Sequence, residues 1–241
     1  MQLRISETLK KLLITYVGIF VLQNVVDQFM GGNIRGWFAL IPNSTMHGMI
    51  WQLFTYSFLH VDVMHLVLNL MVLAFVGSDI EGVWGRKRFF MYYGFCILVA
   101  GIFYMLMQLV MWNPIYLSLP MMGASGGIYG LLLAYGVLFP DREMLFMMIF
   151  PMKAKQFVAL LAGIEFLQAL FSGQGGLSAI AHLSGLLAGL LFLWLQAKGA
   201  KLSFNRLGSK SSSKKRSNHL KLVQNKNSND DEDQRGPKTW H

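Results

Sequence analysis

Two side chains in this sequence could form a nucleophile and its base, Ser125 and His182. A serine hydroxyl becomes a competent nucleophile only when a base removes its proton, and near neutral pH an imidazole suits that task. Ser125 lies between Gly123-Ala124 and Gly126, and His182 opens the last apolar run of the chain. Three more polar residues interrupt apolar runs: His65 and Asn69, one turn apart, and Glu165. No Asp or Glu lies near His182 in sequence or expected depth, so the pair is read as a dyad. Glu165 is read as a hydrogen-bonded structural acid.

Acyl transfer also needs hydrogen-bond donors for the developing oxyanion. If Ser125 opens a helix, its backbone N–H is free and sits at the positive end of the helix dipole. His65 and the Asn69 amide can add side-chain donors. Gly123 and Gly126 allow close backbone approach around the nucleophile. Tyr129, one turn below Ser125, could pack on the His182 ring or be an ordinary core aromatic. The competing chemistry for His60, His65 and His182 is a three-histidine metal site, but no H-E-x-x-H pattern occurs, and a metal leaves Asn69 and Ser125 without a role. The lone cysteine, Cys96, cannot make an intrachain disulfide and reads as a small core residue.

The elements that must position these residues are membrane spans. Only 14% of the 241 residues are charged against 54% apolar, where a soluble domain carries roughly 25% charged residues. Six segments are apolar enough to be spans: 10–29, 62–80, 87–110, 124–139, 154–172 and 178–198. The first resembles a signal peptide, but Gln23-Asn24 stand where small residues would mark cleavage, so it is read as a retained helix. Arg4, Lys10 and Lys11, then Arg86, Lys87 and Arg88, then Arg142, Lys153 and Lys155, and finally the tail, all fall on one side. Only Arg35 falls on the other. The expectation is a multi-pass protein of the cell inner membrane with both termini cytoplasmic. Its organisation is a cytoplasmic segment 1–9, a six-helix domain 10–198 and a tail 199–241.

Residue counting brings the polar side chains to one depth. Ser125 is 16 residues before Asp141, His182 is 16 before Lys198, and His65 is 16 before Glu81. Each count corresponds to about 24 Å of helix. Span 4 is short, so its start must be submerged. The chain from Pro120 to Gly123 must then dip into the membrane, where non-helical backbone is tolerated only inside protein or beside a water cavity. Gly126 and Gly130 on span 4, and Gly185 and Gly189 on span 6, form small-x-x-x-small pairs that let helices approach closely. They serve either general packing or the meeting of Ser125 with His182.

The segment Arg142–Lys155 is too short to cross and is read as an interfacial loop. The connection 30–60, with Trp37, Phe38, Trp51, Phe54, Tyr56 and Phe58, suits the headgroup zone. The tail runs Ser/Lys-rich, then acidic from Asp230 to Asp233, and is expected to be disordered: solvated, or drawn to anionic headgroups.

At this point the residues resemble the rhomboid family of intramembrane serine proteases, in its bacterial six-helix form. Gly123-Ala124-Ser125-Gly126 is similar to the family's G-x-S-G, and Ala181-His182 with Gly185 and Gly189 to its A-H-x-x-G-x-x-x-G. His60, His65 and Asn69 match H-x-x-x-x-H-x-x-x-N, and Glu81 with Gly85 resembles E-x-x-x-G. The resemblance implies an all-α membrane protein, a six-transmembrane-helix rhomboid-like bundle with a short, submerged fourth helix.

It further implies a Ser125–His182 dyad, an oxyanion site from His65 and Asn69 with Ser125, and neither cofactor nor metal. The partners implied are transmembrane protein substrates in the lipid bilayer, and no nucleic acid. Cleavage would fall within or near a membrane segment, usually after a small residue. Substrate would arrive laterally between spans 2 and 5, under a mobile cap containing Gly173, Gly175 and Gly176. The family often carries Trp-Arg in the first outer loop; here Trp51-Gln52 lacks the arginine contact. The alternatives are an inactive rhomboid-like binding or escort protein, which would be expected to lose the nucleophile or base, and a six-helix transporter, which often shows internal repeats.

Overall fold

The computed structural model describes residues 5–111, 114–146, 149–172 and 175–211. The chain divides into two units, Met1–Gly199 and Ala200–His241. The first holds α1 (Glu7–Phe29), α2 (Val63–Trp84), α3 (Arg86–Met111), α4 (Ser125–Leu138) and α5 (Ala154–Phe171), with most of α6 (Gly175–Ser211). Five of these helices contain stretches long and apolar enough to cross a membrane, and α4 is the shorter apolar one.

Local signals set the ends. The Ser6 hydroxyl accepts from the Leu9 N–H at 3.0 Å to start α1, and the Asp62 carboxylate accepts from the His65 N–H at 2.8 Å to start α2. Gly85 ends α2 with φ 74°, a backbone region that favours glycine, while its N–H donates to the Glu81 carbonyl at 2.8 Å. The Ser6 hydroxyl also donates to Glu81 at 2.6 Å, so one carboxylate joins the start of α1 to the end of α2.

The helices carry large apolar side chains on their outer faces as well as inside. Ile14, Phe29, Phe75, Val110, Phe171 and Trp194 are exposed. In water that surface would be an aggregation patch; in lipid it is the ordinary solvent-facing surface. The molecule is a multi-pass, all-α membrane bundle.

Helix α4 occupies the middle. It packs on α2, α3 and α5, and Leu131, Leu132 and Ala134 are buried. Polar groups inside the bundle find partners: the Tyr56 hydroxyl donates to the Ile97 carbonyl at 2.7 Å, the Tyr92 hydroxyl to the Gly130 carbonyl at 2.6 Å, and Tyr16 and Tyr93 share a bond of 2.9 Å. At the end bearing the basic loops, Arg142 pairs with Asp79 at 2.6 Å, tying α2 to the exit of α4.

One connection differs from expectation. The segment read as an interfacial loop contains an antiparallel hairpin, β1 (Glu143–Phe146) with β2 (Phe150–Lys153), in register Glu143↔Lys153. Paired strands satisfy backbone groups that a bare loop would leave to lipid headgroups and water. Beside it, exposed Asp141 lies between Lys155 at 2.9 Å and Lys153 at 3.3 Å, whose hydrogen bonds hold its carboxyl below the usual range.

The connection 30–60 is built of short helices, Ile34–Phe38, Pro42–Met46 and Gln52–Thr55, with exposed Trp37, Phe38, Trp51 and Phe54. Gln52, standing where an arginine contact was missed, is fully buried and anchors this loop itself. Its Oε1 accepts from the Ile41 N–H and the Thr45 hydroxyl, each at 3.1 Å, and its Nε2 donates to the Gly36 carbonyl at 3.0 Å. A neutral amide that donates and accepts can hold both chain segments without burying a charge.

In the second unit the backbone is helical as far as Ser211. The tail expected to be disordered lies outside the described residues from 212 onward.

Candidate active site

Helix α4 begins at Ser125 because the chain before it cannot be helical. Gly123 has φ 124°, and a β-carbon there would run into the His65 ring, with Cε1 at 2.6 Å. The dipping segment is satisfied by protein. Met121 and Leu40 exchange backbone bonds of 2.9 and 3.0 Å, and the Gly123 N–H donates to the Tyr56 carbonyl at 3.0 Å. This is the condition under which irregular backbone survives at membrane depth.

The glycine pairs have specific contacts. A β-carbon on Gly185 would collide with the Gly126 carbonyl, and one on Gly130 with Cys96. A β-carbon on Gly189 would strike the Tyr92 hydroxyl. Helices α4 and α6 therefore cross backbone to backbone just below Ser125. From α6, His182 reaches it: Nε2 lies 2.8 Å from Ser125 Oγ. The Tyr129 ring stacks on the imidazole, with centroids 4.3 Å apart and planes 8° from parallel.

Ser125 and His182 open onto a cavity of about 520 Å³, lined also by His65, Met121, Met122 and Ser178. The first N–H groups of α4 have no intrahelical acceptor and lie at the same place. The structure thus brings Ser125, His182, His65, Tyr129, Gly123 and Gly126 together. Asn69 is not among the cavity-lining residues: it is buried behind, and one of its amide N–H bonds goes to the His65 carbonyl at 2.8 Å.

One expectation is overturned. His182 has an acid partner: its Nδ1 lies 3.0 Å from Glu165 Oε1, and the Tyr129 hydroxyl donates to that same oxygen. Counting residues up α5 from Ala154 puts Glu165 about 16 Å above its start, some 8 Å short of the serine level. Such counting takes no account of side-chain reach or helix tilt. The signal was an acid inside an otherwise apolar span.

The three histidines do not converge as a ligand set. His60 is fully buried, edge-on to His65 at 5.1 Å, and both nitrogens of His182 face Ser125 and Glu165. Among the described residues no group of His, Cys, Asp and Glu has metal-binding spacing. His60 is instead a fixed point of the loop: the Gln23 side chain donates to its carbonyl at 2.5 Å and accepts from its N–H at 3.2 Å. Sequence reasoning missed that role, although an amide near the end of an apolar span was its trace. Of the cap glycines, Gly173 lies outside the described residues, while Gly175 and Gly176 are the first residues of α6.

Comparison with known proteins bears on the whole arrangement. Residues 47–199 match the family model described as the Rhomboid domain. Rhomboid-like protein 19 of Arabidopsis thaliana is 28% identical over 186 residues, covering 73% of this chain and 57% of that protein. Rhomboid protein 1, mitochondrial, of Saccharomyces cerevisiae is 28% identical over 150 residues, covering 60% of this chain and 41% of its own length. Rhomboid-like protease 3 of Toxoplasma gondii is 35% identical over 81 residues, 34% of this chain and 29% of that one. The chain thus spans about half or less of the length of these curated relatives, and all three are eukaryotic.

Proposed function

Because the chain belongs to the rhomboid family, we propose that it is an intramembrane serine endopeptidase in which Ser125 is the nucleophile and His182 its base. The observation that carries this reading is the 2.8 Å contact between His182 Nε2 and Ser125 Oγ at a cavity wall. That is hydrogen-bond reach for proton transfer.

The chemistry follows from the geometry. His182 Nε2 takes the Oγ proton as Oγ attacks the scissile carbonyl carbon. The oxyanion is met by the free N–H groups at the start of α4 and by the His65 ring, each such donor being worth about 3 kcal/mol. Asn69, tied to the His65 carbonyl, steadies that turn of α2 and keeps a second N–H. The imidazolium then protonates the leaving amine as the C–N bond breaks. Water, activated by the same imidazole, hydrolyses the acyl ester and restores Ser125.

The substrates are transmembrane segments of other proteins, cut within or near the bilayer after a small residue and arriving between α2 and α5. The residues reach no metal or cofactor in this mechanism. Basic residues at the α2–α3 connection, Arg86, Lys87 and Arg88, and in the α4–α5 connection favour a cytoplasmic position for that side. With six crossings both ends of the bundle then face the cytoplasm, as in a compact bacterial member in the inner membrane.

The test is cleavage of a panel of single-span substrates by the purified full-length protein, against Ser125→Ala. Cleavage that disappears in Ser125→Ala is expected; cleavage that persists overturns the assignment. Specific substrate binding without any cleavage by the wild type would favour an inactive escort protein.

A further inference from the structure

We propose that Glu165 is a positioning residue for His182, so that the site works as a Ser–His–Glu relay of contacts rather than as an isolated pair. This rests on the reading of Ser125 and His182 as nucleophile and base.

A neutral imidazole carries one N–H and one lone pair, and only the lone pair can take the serine proton. Nε2 faces Ser125 Oγ, so the proton must be held on Nδ1. Glu165 Oε1, 3.0 Å from Nδ1, is an acceptor placed to hold it there. A buried carboxylate behind the base performs this service in serine hydrolases of unrelated fold: it fixes tautomer and ring orientation and stabilises the imidazolium that forms.

Three further observations support a role through His182. The Tyr129 hydroxyl donates to the same Oε1, and its ring lies flat on the imidazole, so one tyrosine braces both the acid and the base. The Glu165 side chain is 8% exposed and that of His182 21%, so the acid is sealed while the base still meets the cavity. Finally, Glu165 Oε2 is buried and has no hydrogen-bond partner among the described residues. Here one oxygen carries both contacts, and both lead to the imidazole.

The experiment uses the full-length protein in detergent or liposomes. Steady-state cleavage is measured for wild type, Ser125→Ala and Glu165→Gln, with melting temperature as a check on folding. Glutamine keeps the shape of the acid but can present its N–H₂ to Nδ1, which turns the imidazole proton toward Ser125. We expect Glu165→Gln to lower kcat by about 100-fold or more while KM changes less than about two-fold. A kcat within about two-fold of wild type would overturn the proposal.

Histidine ¹⁵N spectra give a second readout, with the His182 signals identified by their loss in His182→Ala. The wild type is expected to show His182 protonated on Nδ1 and not on Nε2, and Glu165→Gln to shift that balance. An unprotonated Nδ1 in the wild type would overturn the proposal, and this measurement decides it even if Glu165→Gln fails to fold. The two readings fail separately: undiminished cleavage by Ser125→Ala removes the protease assignment, whereas an indifferent Glu165→Gln removes only the relay.

Discussion

Gly185 of α6 lies against the carbonyl of Gly126 of α4, with no room for a β-carbon between them. Ser125 precedes that carbonyl by one residue, and His182 precedes Gly185 by one helical turn. The closest approach of the two helices is therefore what sets the distance between nucleophile and base.

Gly185→Ala should separate the helices, because its obstacle is backbone and cannot rotate away. Overpacking of this kind costs about 1–3 kcal/mol. We expect a lower melting temperature and at least a ten-fold loss in the rate at which a fluorophosphonate labels Ser125. Gly163→Ala on α5 is the control: a β-carbon there meets nothing within 4 Å, and neither stability nor labelling should fall.

Tyr129 offers a separable test of ring and hydroxyl. Tyr129→Phe keeps the face that stacks on His182 and loses the bond to Glu165. It should lower kcat by less than about ten-fold, whereas Tyr129→Ala, which also removes the ring beneath the imidazole, should lower it about ten-fold further. Equal losses in the two variants would show that the ring contributes nothing.

Gln52→Ala should destabilise the outer loop. It leaves the Ile41 N–H and the Gly36 carbonyl without their partner, and unmade buried hydrogen bonds cost about 1–3 kcal/mol. A fall in melting temperature with kcat preserved at temperatures where the variant stays folded is the expected result. Loss of activity without loss of stability would contradict it.

His60 predicts a sensitivity to acid. Burial, with a smaller contribution from neighbouring His65, pushes its ring down from an ordinary 6.5 to about 4. Above pH 6.5 the ring is neutral in folded and unfolded states alike, and its contribution to stability is intact. Between pH 6.5 and about 4 the unfolded chain takes up a proton that the folded protein refuses, so stability falls with decreasing pH by at most about 1.4 kcal/mol per unit. His60→Phe should remove this slope. Melting temperatures of wild type and variant that stay parallel from pH 7.5 to pH 4.5 would refute the idea.

How far the sequence could be read depends on what kind of signal each feature leaves. Spans such as Val63–Trp84 and Arg86–Met111 announce themselves, because lipid demands a long uninterrupted apolar run. Ser125, His182 and His65 stood out because a polar group in such a run is expensive. Glu165 was equally visible, but its partner was not: height along a helix can be counted, whereas lateral reach and tilt cannot. The hairpin Glu143–Lys153 was hidden because its apolar strands have the length and composition of an interfacial loop. Gln52 was misjudged for another reason. Comparison by residue type showed a missing arginine, and only the geometry shows that the amide makes donor and acceptor bonds at once.

Cys96 is packed so closely under Gly130 that the thiol has no exposed surface. The unmodified sequence is therefore already a silent background for cysteine-directed reagents. A cysteine introduced at any exposed position, in either set of connecting segments, can be labelled alone and its side of the membrane assigned with an impermeant maleimide.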